Sequence, residues 1–130
     1  KLESIRRCLA RIEEKCPASP ERLTQDVDAQ DIVSVNLTRA VQIAVDLGLH
    51  LLSARNVSAP ATMGETFDAL AREGILDERL ARDLKRSVGF RNVAVHAYVK
   101  IDWNVVHAIR SRHLEDFREF ARAIVRVLDA

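Results

Sequence analysis

Residues 27–55 constrain the fold more than any other stretch. There Val33, Leu37, Ala40, Val41, Ala44, Val45, Gly48, Leu51 and Leu52 recur every three or four residues, the period of one helical face sustained for roughly seven turns. A helix this long and this apolar persists in water only when other helices cover it. The stretch therefore predicts a helical bundle. Ile32, Ile43, Leu47 and Leu49 fall outside the main stripe, and are expected to meet a partner surface. Arg39, Gln42, Asp46 and His50 form a polar stripe facing one direction; it is either a solvated face or one wall of a site.

The remaining segments have helical period and end signals of their own. Leu2, Ile5, Leu9, Ile12 and Cys16 trace a first helix that Pro17 and Pro20 end, and a polar stretch to about Asp26 leads into the long helix. Thr62 and Glu65 predict a capped short helix that Gly74 stops. Asp77 predicts the start of a helix that buries Leu80 and Leu84 and breaks or kinks at Gly89. Asp102 predicts the last start, and Val106, Ile109, Leu114, Phe117, Phe120, Ile124 and Leu128 trace a final helix of about six turns. These elements predict an all-α fold, an antiparallel four-helix bundle with an additional short helix, in a single domain spanning 1–130.

Composition removes several classes of function. Twenty basic and 19 acidic residues leave a formal charge of +1, so no net field draws the chain to nucleic acid or an anionic membrane, and any such contact must be local. Cys8 and Cys16 are the two cysteines and are expected as small apolar core residues without a redox or metal role. No His, Cys, Asp and Glu set has the spacing of a metal site, and no cofactor motif is present. No apolar run approaches the roughly 20 residues of a bilayer span, and no signal-peptide pattern is seen. A soluble cytoplasmic protein without membrane contact is the expectation.

Chemically capable side chains concentrate in GFRNVAVHAY, residues 89–98. Arg91 offers a planar, permanently charged fork suited to phosphate, and His96 carries a proton either way near neutrality. In one continuous helix these two residues stand about 140° apart around the axis, so a shared site needs a bend after Gly89 or a second chain. Val93, Ala94, Val95 and Ala97 are expected to anchor the stretch in the bundle. Structural roles are equally open at this stage: Arg91 pairing with Asp46, Asn92 capping a turn, His96 a core histidine. Asp46 and His50 are candidate supports for Arg91, whereas His107 and His113 are expected at the surface or rim.

The string Gly89-Phe90-Arg91-Asn92, with four residues between Arg91 and His96 and one between His96 and Tyr98, resembles the signature of the HepT-like toxins of the HEPN superfamily. The similarity extends along nearly the whole chain in helix order, length and the Asp102-Trp103 helix start. It implies a HEPN-like fold and a metal-independent endoribonuclease acting as a homodimer. It implies a toxin of a toxin–antitoxin pair, neutralised by a minimal nucleotidyltransferase antitoxin that transfers AMP to Tyr98. Two chains would bring two copies of His96 to one cleft as base and acid, with two Arg91 side chains, supported by Asn92 and near Lys100, on the RNA phosphate. The contrasting expectation is a non-catalytic helical subunit that binds nucleotide or docks on a nucleotidyltransferase.

Overall fold

The computed structural model describes residues 1–129. Among them it has seven α-helices, one short 3-10 turn and no strand. The helices are α1 (Leu2–Lys15), α2 (Pro20–Gln25), α3 (Val27–Ala54), α4 (Met63–Arg72), α5 (Glu78–His96), α6 (Trp103–Arg112) and α7 (Leu114–Asp129), and the 3-10 turn spans Tyr98–Lys100. The four longest, α1, α3, α5 and α7, touch in a closed ring: α1 on α3, α3 on α5, α5 on α7 and α7 on α1. That ring is the bundle predicted from residues 27–55.

The long helix α3 is the hub, in contact with α1, α2, α4, α5 and α7. By length and composition alone it could cross a membrane, but its main stripe from Ala29 to Leu52 is buried in this bundle. Neighbours on several sides also explain Ile43, Leu47 and Leu49, which pack partly buried against the chain's own core. That packing covers much of these three within the chain itself, while Ile32, the fourth residue off the stripe, lies half-buried at the groove between α1 and α3. At Gly48 the approach of α4 is so close that a Cβ would lie 2.8 Å from Leu70 Cδ1 and 3.0 Å from Thr66 Cγ2. Glycine is what lets α4 settle there. Phe67 of α4 meets Phe120 of α7 edge to face, with centroids 6.1 Å apart, a favourable aromatic geometry at the core.

Helix ends follow the sequence signals where a short polar side chain caps them. Thr62 Oγ1 accepts from the Glu65 amide, Asp77 Oδ1 from Leu80 and Asp102 Oδ1 from Asn104. At the end of α4 the Ile75 amide donates to the Leu70 carbonyl and the Gly74 amide to that of Ala71, with Gly74 at φ +75°. This is the Schellman arrangement, and only glycine adopts its left-handed residue without strain. Cys8 and Cys16 are buried and free, and burial pushes both thiols above their ordinary pKa, as suits core residues.

Three elements differ from expectation. The polar connection after Pro17 contains α2, started by Ser19 as cap and Pro20 in the first turn and held by the fully buried Leu23; one apolar residue was too faint a periodic signal. The helix through Gly89 does not break, since α5 runs on to His96, and a helix interior tolerates a single glycine. The final helix is two helices, α6 and α7, that part at His113. Its apolar residues step by five from Ile109 to Leu114 across Arg110, Ser111, Arg112 and His113, so one straight helix could not bury both sides of the gap.

Candidate active site

Continuity of α5 places Arg91 and His96 on one helix, about 140° apart around its axis. Arg91 leans toward α3, where its Nη2 donates to Gln42 Oε1 at 3.4 Å while its Nη1 donates to Asn92 Oδ1 at 3.2 Å. Both acceptors are neutral amides. Gln42 Nε2 donates onward to Asp46 Oδ1 at 3.0 Å, and Asp46 also lies 3.8 Å from Lys1 Nζ. Asp46 therefore reaches Arg91 only through Gln42. Among the described residues Arg91 has no carboxylate partner, and its Nε is buried without a hydrogen bond. A guanidinium held by amides keeps its full charge for an incoming anion.

His96 is the last residue of α5, exposed, with no ring hydrogen bond among the described residues. Beyond it the chain leaves the helix at Ala97 and winds into the 3-10 turn. That turn presents Tyr98, whose ring meets Trp103 edge-on at 5.9 Å. The Tyr98 hydroxyl donates to Asp31 Oδ1 at 2.6 Å. Burial first, then the hydrogen bond and charge of Asp31, push this phenol up to about 12. Asn92 is exposed beside Arg91.

The valines around these residues face outward. Val93, Val95 and Val99 are exposed, the last at 94%, and only Ala94 of the motif's central residues packs partly buried on the core. They do not anchor the bundle as expected, because helical spacing gives the inner side of α5 to Leu84, Ser87, Val88 and Phe90. An apolar surface thus borders Arg91, His96 and Tyr98. Such a border beside polar groups is characteristic of an interaction site.

Sequence reasoning missed Asp31. It continues the stripe of Arg39, Gln42 and Asp46 backwards at helical spacing, but the intervening position is Val35, which interrupts the polar signal. Asp31 also forms one wall of a groove between α1 and α3 shared with Arg7, Arg11 and Arg39. His50, a candidate support, is exposed and, among the described residues, makes no hydrogen bond or ion pair to the site. His107, expected at the surface, is buried with Nε2 3.0 Å from the Pro17 carbonyl oxygen, because α6 packs over α2 and closes against the turn between α1 and α2. His113 is half-buried with Nδ1 2.8 Å from Asp116 Oδ2.

A cavity of about 400 Å³ opens among α5, α6 and α7, with Phe90, Val93, Lys100 and Val105 among its walls. Asp83, His113 and Asp116 converge at it, their ligand atoms within 4.8 Å of one another, a grouping that linear spacing hid. Arg79 already donates to both carboxylates of this group, at 3.0 Å to Asp83 and 3.4 Å to Asp116.

Residues 5–124 match the family Ribonuclease HepT-like. The chain is 32% identical over 124 residues to the mRNA nuclease HepT of Shewanella oneidensis, covering 95% of this chain and 92% of that one. It is also 32% identical over 96 residues to the tRNA nuclease HepT of Aphanizomenon flos-aquae, covering 73% of this chain and 65% of the relative. Among solved structures, the tri-AMPylated Shewanella oneidensis HEPN toxin in complex with its MNT antitoxin superposes with a TM-score of 0.89 at 30% identity, over 96% of this chain and 93% of that one. A toxin–antitoxin structure with AMP-PNP gives 0.87 at 30% identity, over 95% and 93%. With a family match over nearly its whole length and these relatives, the chain belongs to the HepT-like ribonucleases of the HEPN group.

Proposed function

We propose that this chain is the toxin of a toxin–antitoxin pair, a metal-independent endoribonuclease that cuts RNA in a cleft between two identical chains. The observation that carries this reading is the state of Arg91: a partly buried guanidinium on neutral amides, without a carboxylate among the described residues to quench it, five residues from an exposed His96. RNA as substrate agrees with the two relatives, an mRNA nuclease and a tRNA nuclease.

Cleavage requires a base to take the 2′-hydroxyl proton, an acid to protonate the departing 5′ oxygen, and positive charge for the phosphorane-like transition state. One chain supplies one motif histidine. The roughly 140° between Arg91 and His96 directs them to different sides of α5, so a symmetric partner is what brings an arginine and two histidines to one phosphate. Exposed Val93, Val95 and Val99 offer apolar area for that association. In this arrangement His96 and its mate divide base and acid roles, Arg91 holds the non-bridging oxygens, and Asn92 steadies Arg91 from beside it. Asp46 acts at one remove, by orienting Gln42.

Control of the activity is assigned to a minimal nucleotidyltransferase antitoxin that transfers AMP to the Tyr98 hydroxyl. The supporting likeness is to a toxin described as tri-AMPylated and bound to its MNT antitoxin. A nucleotide on Tyr98 would bring bulk and negative charge to the border of the site, excluding RNA by occlusion and repulsion. The test is expression of the chain without its antitoxin in a bacterial host, alongside His96→Ala. Growth arrest by wild type, relieved in the variant, supports the reading. Intact RNA after incubation with the purified wild-type dimer in chelator refutes it.

A further inference from the structure

We propose that Asp31 is the base that takes the Tyr98 proton when that oxygen is nucleotidylated. The inference rests on the reading of Tyr98 as the AMP acceptor and adds a residue of this chain, rather than of the antitoxin, to the chemistry of transfer.

The geometry is specific on two sides. Trp103 fixes the plane of the Tyr98 ring by its edge-on contact at 5.9 Å, and Asp31 Oδ1 fixes the hydroxyl at 2.6 Å. The one phenolic proton lies on the line to a carboxylate oxygen. Tyr98 remains 40% exposed, so the oxygen can still be reached by an attacking partner. Asp31 itself is exposed, on the solvent side of α3, and no core packing depends on it. Arg7, Arg11 and Arg39 share its groove. They place positive charge near where a triphosphate must approach.

Transfer forms a bond between Tyr98 Oη and the α-phosphorus of ATP and breaks the bond from that phosphorus to the α,β-bridging oxygen, releasing pyrophosphate. The proton on Oη must go elsewhere, and Asp31 is the carboxylate in contact with it. Free tyrosinate is not available beforehand, because the surroundings of Tyr98 raise its pKa to about 12. Proton loss must accompany bond formation, which is the task of a positioned general base. The same contact holds the phenol neutral at rest and receives its proton during reaction.

Asparagine separates this role from simple positioning: its amide oxygen still accepts the hydroxyl hydrogen bond but is no base. Single-turnover transfer would be followed by intact mass, with ATP, Mg²⁺ and the purified nucleotidyltransferase antitoxin. Asp31→Asn is expected to lower the maximal rate about 100-fold, with KM for ATP unchanged and the helical circular dichroism of wild type. Asp31→Glu restores part of the rate. An Asp31→Asn protein that gains AMP at the wild-type rate overturns the inference and leaves Tyr98 as acceptor. Absence of any gain in wild type, or a gain retained by Tyr98→Phe, overturns the acceptor reading and this inference with it.

Discussion

Arg91 is joined to Gln42 across 49 residues by a hydrogen bond of 3.4 Å, and that neutral contact stands where a carboxylate would otherwise cancel its charge. Gln42→Glu places such a carboxylate at the same reach. The resulting ion pair should compete with the RNA phosphate and lower kcat/KM about 10- to 100-fold, the scale of one charge-assisted contact. Gln42→Ala removes only a long neutral bond and should cost less. Steady-state cleavage of a labelled RNA measures both, and equal activity of Gln42→Glu and wild type would contradict the assignment of Arg91 to phosphate.

Tyr98 is the sole tyrosine of the chain, so ultraviolet titration of tyrosinate reports it without interference. Burial and Asp31 raise it to about 12, against an ordinary value of about 10. The group is neutral in folded and unfolded chains alike below about pH 10. Its contribution to stability is therefore complete there and is lost as pH rises through about 12. Asp31→Asn should bring the midpoint down toward 10, and an unchanged midpoint would remove Asp31 as a cause.

Two glycines separate close packing from open helix. At Gly89 an added Cβ meets nothing within 4 Å, so Gly89→Ala should stabilise the isolated chain by ~1 kcal/mol through helix propensity. At Gly48 the added atom meets fully buried Leu70, and Gly48→Ala should destabilise by ~1–3 kcal/mol. Urea denaturation compares them. Equal effects would contradict the packing of α4 on α3.

Much of this was legible in the sequence for definite physical reasons. Thr62, Asp77 and Asp102 cap helices with side chains whose chemistry is local, and the α3 stripe repeats long enough to outweigh its interruptions. Three kinds of information were not local. The α6–α7 break at His113 is a phase change in the apolar pattern, visible only when positions 109 and 114 are compared as faces. Periodicity put Gln42 and Asp46 on the same side of α3, yet side-chain reach decided that Gln42 takes Arg91. Asp31 was hidden because Val35 interrupts its stripe and because its partner lies 67 residues away.

A shared cleft has a stoichiometric consequence. If one histidine from each chain is needed for every cut, a mixed dimer of wild type and His96→Ala should be nearly as inactive as the double variant. Tandem-tagged mixed dimers, purified and assayed on the same RNA, measure this. Half of wild-type activity would mean that each chain works alone and that the two-fold arrangement is not catalytic.

The central claim, that His96 and Arg91 cleave RNA by proton transfer without a metal, is tested most directly by the ends of the cut RNA. Wild type in chelator should leave a 2′,3′-cyclic phosphate and a 5′-hydroxyl, with His96→Ala slower by about 100-fold or more. A 5′-phosphate at the cut, or an unchanged rate in His96→Ala, would contradict it.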